Sequence, residues 1–83
     1  MDKILVIVYV PMIDEKFELF IPLNKKVGTI KKLLITGINQ LSEIDLQSPI
    51  GFCLQDKETG TIYDENKTVL ENKIENSTEM LLI

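Results

Sequence analysis

The sequence has no histidine, no arginine and a single cysteine, Cys53. These absences remove most catalytic chemistry at once. No imidazole is present to activate Cys53 as a nucleophile, and the nearest following cation, Lys57, lies beyond a turn. Cys53 is therefore read as a small strand residue. There is no cysteine pair to hold a metal and no glycine-rich phosphate loop. An enzyme is not expected, and neither is a cofactor or a metal site. One cysteine makes no internal disulfide, which agrees with a reducing compartment. No apolar run approaches the roughly 18 residues of a membrane helix, and Ile4 to Val10 has neither a basic flank before it nor a small-residue cleavage site after it. A cytoplasmic protein without a membrane span is expected.

Positive charge is also scarce. Nine lysines stand against thirteen acids, for a net charge of −4 and a pI near 4.7, so a phosphate backbone is repelled on average. The guanidinium fork that reads guanine or grips a phosphate in two places is missing as well. Nucleic acid is excluded as a partner on both counts. The charge is uneven, however: Met1 to Leu41 carries six lysines and four acids, whereas Ser42 to Ile83 carries three and nine. Lys25, Lys26, Lys31 and Lys32 form the one basic cluster. It fits either a solvated helix face or an electrostatic docking site for an acidic partner or lipid headgroup. Asp56, Glu58, Asp64 and Glu65 gather near the chain's second hairpin without the alternating oxygen ligands and central glycine of a calcium loop, and are read as solvated.

What is present is apolar and periodic. With 83 residues, 45% hydrophobic and 27% charged, the chain has material for one core, and residues 1–83 are read as a single domain. Ile4 to Val10 is rich in β-branched residues and too short for a typical helix, and Lys16 to Ile21 alternates with Phe17, Leu19 and Ile21 on one face. Pro11, Asp14 and Glu15 lie between these two strands and imply an antiparallel hairpin with more than the tightest loop. From Val27 the period changes. Val27, Ile30, Leu34, Ile38 and Leu41 fall on one side of a helix, weakened by Gly28 and Gly37 at about 1 kcal/mol each. After Pro49, Gly51 to Gln55 is a third strand, Asp56 to Gly60 a hairpin loop, and Thr61 to Tyr63 a fourth strand. Thr68 and Glu71 match the Thr-x-x-Glu capping box of a short helical turn, and Met80 to Ile83 is the last strand. The order predicts an α+β fold, a mixed five-stranded sheet with one helix packed across one face.

From Thr68 onward, Thr68, Val69, Ile74, Ser77, Thr78, Met80 and Leu82 fall at the spacing of the closing turn and last strand of ubiquitin-like domains, and the chain resembles that β-grasp family. Among bacterial members it is most similar to the YukD/EsaB proteins of type VII secretion loci, which share its length, a Lys-Lys pair beside the helix start and an end at the last strand. Lys25 and Lys26 followed by Val27 carry that likeness. The resemblance implies a non-catalytic adaptor, an accessory or regulatory component of a secretion machine. A conjugated modifier or sulfur carrier of this family needs a flexible tail ending in two glycines. This sequence ends Leu81, Leu82, Ile83, so that chemistry is not expected.

Strand alternation names the expected contact surface. Ile4, Val6, Val8, Phe17, Leu19, Ile21, Phe52, Leu54, Met80 and Leu82 are assigned to the face that meets the helix. Leu5, Ile7, Tyr9, Phe20, Cys53, Leu81 and Ile83 then share the outer face, adjacent if the strands are ordered two, one, five, three, four. An apolar outer face implies a protein partner, such as a secretion-machine component, or a homodimer. A self-associating β-grasp module of another system is the alternative.

Overall fold

The structure, a computed structural model, describes residues 2–42 and 51–83. Pro49, the expected boundary before the third strand, lies outside the described residues. Strand β1, Lys3–Val10, pairs antiparallel with β2, Glu15–Pro22, setting Leu5 opposite Phe20 and Val6 opposite Leu19. The connection is a 3₁₀ turn over Pro11–Ile13 closed by Asp14 at φ 51°. Aspartate is one of the few residue types that visit this left-handed region routinely. The Asp14 N–H donates to the Pro11 carbonyl at 3.2 Å, and Asp14 Oδ1 accepts from the Tyr9 hydroxyl at 2.8 Å.

Helix α1, Val27–Ser42, follows. Val27, Ile30, Leu34 and Ile38 are buried, as their spacing predicts, and Ile35 joins them. Leu41 does not: it is 65% exposed, because the stripe drifts off the sheet at the helix end. Two N–H groups at the helix start are met by loop carbonyls, Val27 on Lys67 at 2.9 Å and Gly28 on Glu65 at 3.1 Å.

Strand β3, Leu54–Asp56, and strand β4, Thr78–Leu82, complete the sheet in the order β2-β1-β4-β3. β4 runs parallel to β1 and antiparallel to β3. Reciprocal backbone hydrogen bonds between Cys53 and Ile83 extend the β3–β4 ladder by one pair. The sheet therefore has four strands among the described residues rather than five. Thr61 to Tyr63 makes only an isolated bridge, Ile62 on Gln55, with the Asp56 N–H donating to the Thr61 carbonyl and the Tyr63 N–H to the Leu54 carbonyl. The reason is downstream: the chain must leave this edge after Tyr63 to bring the Glu65 and Lys67 carbonyls to the start of α1.

One cluster of buried side chains fills the space between sheet and helix. Val6, Val8, Ile21, Phe52, Leu54, Met80 and Leu82 are buried in it as assigned, whereas Ile4, Phe17 and Leu19 are half-buried at its margin. Val10, Tyr63, Val69 and Ile74 complete it. The capping box forms in full: Thr68 Oγ1 accepts from the Glu71 N–H at 3.0 Å and Glu71 Oε1 from the Thr68 N–H at 2.9 Å. It closes a single short turn, in which the Asn72 N–H donates to the Thr68 carbonyl at 3.0 Å.

Candidate interaction surface

The face of the sheet away from α1 is built by alternate residues of every strand. β1 contributes Leu5, Ile7 and Tyr9, and the pairing sets Phe20 beside Leu5, Glu18 beside Ile7 and Lys16 beside Tyr9. On the other flank β4 sets Glu79 beside Ile7 and Leu81 beside Tyr9, with Gln55 of β3 next to Leu81. Leu5, Ile7, Tyr9 and Leu81 are half-buried, Cys53 is exposed, Ile83 is 47% exposed and Phe20 is 69% exposed. All seven apolar residues assigned to this face thus retain solvent-accessible surface. The face is less uniformly apolar than the seven residues alone suggest, because Glu18 and Glu79 flank Ile7 from both sides. The parity that puts Phe20 outside puts Lys16 and Glu18 there too, so this much was readable from the sequence. The row is apolar at the Leu5–Phe20 end, acidic at Ile7, and apolar again at Tyr9 and Leu81.

Tyr9 is more than an apolar contact. Its hydroxyl donates to Asp14, and that hydrogen bond, with the neighbouring carboxylate charge, pushes the phenol pKa up. The ring is held against the hairpin by a neutral hydroxyl, a rigid amphipathic side chain of the kind that protein interfaces favour.

The lysine cluster does not survive as four equal cations. The Lys31 side chain is 7% exposed, its Nζ lying 2.8 Å from Glu65 Oε2 and donating to the Phe52 carbonyl at 2.9 Å. Burial makes those two partners obligatory, so Lys31 ties α1 to the segments on either side of β3 instead of facing a partner. Lys25, Lys26 and Lys32 are exposed. Sequence reasoning missed the Lys31–Glu65 pair, since its members lie 34 positions apart. Of the hairpin acids, Asp56 accepts from the Thr59 and Glu58 N–H groups and from the Tyr63 hydroxyl, which together hold its carboxyl below the ordinary value of 3.8.

No protein-family model and no curated protein matches the sequence. Solved structures match along its whole length. The ubiquitin of Caldiarchaeum subterraneum superposes with a TM-score of 0.72 over 99% of this chain and 92% of its own, at 16% identity. A ubiquitin-like domain of an Arabidopsis thaliana protein gives 0.77 over 100% and 78%, at 18% identity. The EccD5 ubiquitin-like domain from Mycobacterium xenopi gives 0.72 over 100% and 94%, at 13% identity. The fold is therefore the ubiquitin-like β-grasp, α+β, with one helix packed across one face of a mixed sheet. At these identities the likeness is one of fold.

Proposed function

We propose that this chain is a non-catalytic ubiquitin-like adaptor that binds a protein partner through its outer sheet face, in the cytoplasm, as an accessory or regulatory component of a bacterial type VII secretion system. The observation that carries the binding role is the row of Leu5, Ile7, Tyr9 and Leu81, adjacent across β1 and β4 and rimmed by the exposed Phe20. A handful of such side chains, each worth about 1.5 to 3 kcal/mol when fully buried, supports a weak to moderate interface after the cost of association. The non-catalytic reading is supported by a sequence without histidine or arginine. The secretion assignment rests on the likeness to YukD/EsaB proteins, and the EccD5 ubiquitin-like domain is among the solved structures that share the fold. Lys25, Lys26 and Lys32 remain as the cations that would steer an acidic partner.

The test is replacement of the chromosomal copy in the native host. Phe20→Ser and Ile7→Ser are expected to impair export of the system's small helical substrates while the protein accumulates normally and, purified, loses less than about 1 kcal/mol of stability. Val8→Ser, in the core, is expected to lose about 2 to 4 kcal/mol. Normal export after deletion of the whole gene would refute the secretion assignment. Normal function of Phe20→Ser and Ile7→Ser in a host where deletion is deleterious would refute the binding face.

A further inference from the structure

β2 stands at one end of the sheet, and among the described residues no strand lies beside its outer edge. The direction of its peptide groups follows from β1. The Leu5 N–H donates to Asn76 Oδ1 at 2.8 Å and the Leu5 carbonyl accepts from the Ser77 N–H at 2.7 Å, so both point away from β2. Leu5 and Phe20 are thus a non-hydrogen-bonded pair of the antiparallel ladder, and by alternation so are Ile7–Glu18 and Tyr9–Lys16. The N–H and C=O groups of Lys16, Glu18 and Phe20 consequently face the open edge. Along it Lys16, Glu18 and Phe20 are exposed, and Phe17 and Leu19 are only half-buried. A free edge of this kind is a template for another strand.

We infer that the strand it takes is β2 of a second copy of this chain, in a two-fold antiparallel pair centred on Phe17. Charge decides both the occupant and the register. A two-fold pair centred on Lys16 or Glu18 would set like charges directly opposite each other. A pair centred on Leu19 would set Lys16 opposite Pro22, which has no N–H to donate, and leave Glu18 opposite Phe20. Centred on Phe17, Lys16 of each copy lies opposite Glu18 of the other, so two complementary pairs form on the outer face and the outward peptide groups exchange four hydrogen bonds. Phe17 meets Phe17 of the second copy on the inner face, where non-hydrogen-bonded side chains approach most closely. Leu41, 65% exposed, lines one hollow with Ile7, Lys16, Phe17, Glu18 and Glu79, at the same end of β2. The interface is self-complementary, as a two-fold dimer requires, and joins two four-stranded sheets into one of eight. It does not depend on the adaptor reading, which concerns the neighbouring side chains of β1 and β4.

Charge reversal tests it. By sedimentation across the micromolar to millimolar range the wild-type chain is expected to show a monomer–dimer equilibrium. K16E and E18K are each expected to weaken it about ten-fold or more, and the double reversal K16E/E18K to restore it to within a few-fold. E18K is the discriminating single change, because it lowers the net negative charge of the chain and would strengthen a merely non-specific association. A wild-type chain that stays monomeric, a dimer indifferent to both single reversals, or a double variant as weak as the single ones would each overturn the proposal.

Discussion

Lys31 and Lys32 are adjacent residues of one type with opposite roles. Consecutive helical positions are turned by about 100°, so one points toward the core margin while the other points to solvent. The ammonium of Lys31 reaches a half-exposed carboxylate and a backbone carbonyl, and its removal would leave the Phe52 oxygen without a donor in a buried place. Lys31→Ala is accordingly expected to cost about 1 to 3 kcal/mol in urea denaturation, while Lys32→Ala stays within about 0.5 kcal/mol of the parent. Equal effects would mean that the Lys31 contacts are not formed in solution. Reading a charge cluster from sequence finds the cations but not which of them the fold consumes, because that depends on a carboxylate 34 residues away.

The two glycines of α1 differ in the same way at the scale of the element. Both lower intrinsic helix propensity equally. A Cβ on Gly28 would lie 3.2 Å from the Glu65 carbonyl oxygen, the same atom that accepts the Gly28 N–H, so glycine there permits the loop to close over the helix start. A Cβ on Gly37 would meet nothing within 4 Å. Gly37→Ala is expected to stabilise the protein by about 0.5 to 1 kcal/mol, and Gly28→Ala to gain less or to lose, as read from thermal melting. The strands show the complementary lesson. Alternation in Ile4 to Val10 and in Phe17, Leu19 and Ile21 was legible because a one-residue slip would turn the whole apolar set to solvent. The extent of the segment at Thr61 to Tyr63 was not, because its length is limited by where the chain must go next.

For the whole molecule, the shifted Asp56 and Glu71 carboxyls and the Tyr63 phenol make stability depend on pH. Asp56 is held down chiefly by the Thr59 N–H, and Glu71 by the Thr68 N–H. Carboxyls depressed in the folded state contribute stability that is present above their unfolded values and lost as pH falls through the folded ones. Tyr63 behaves in the opposite sense. Burial and the Asp56 carboxylate push its phenol pKa up, so its contribution is present below the ordinary value of 10 and lost as pH rises beyond it. The melting temperature is expected to be level from about pH 5 to pH 9 and to fall on both sides, with Glu71→Gln reducing the acid-side slope; an unchanged slope would count against the capping box. By itself the sequence determined the order of elements, the faces of β1 and β2 and the Thr68–Glu71 box, since each is encoded by residues a few positions apart whose backbone geometry fixes their mutual placement. Only the tertiary structure decided that Lys31 is buried, that Ile7 lies between Glu18 and Glu79, and that among the described residues the sheet stops at β3. Those outcomes depend on strands and loops distant in sequence, brought together by a parallel β1–β4 pairing that no local pattern specifies.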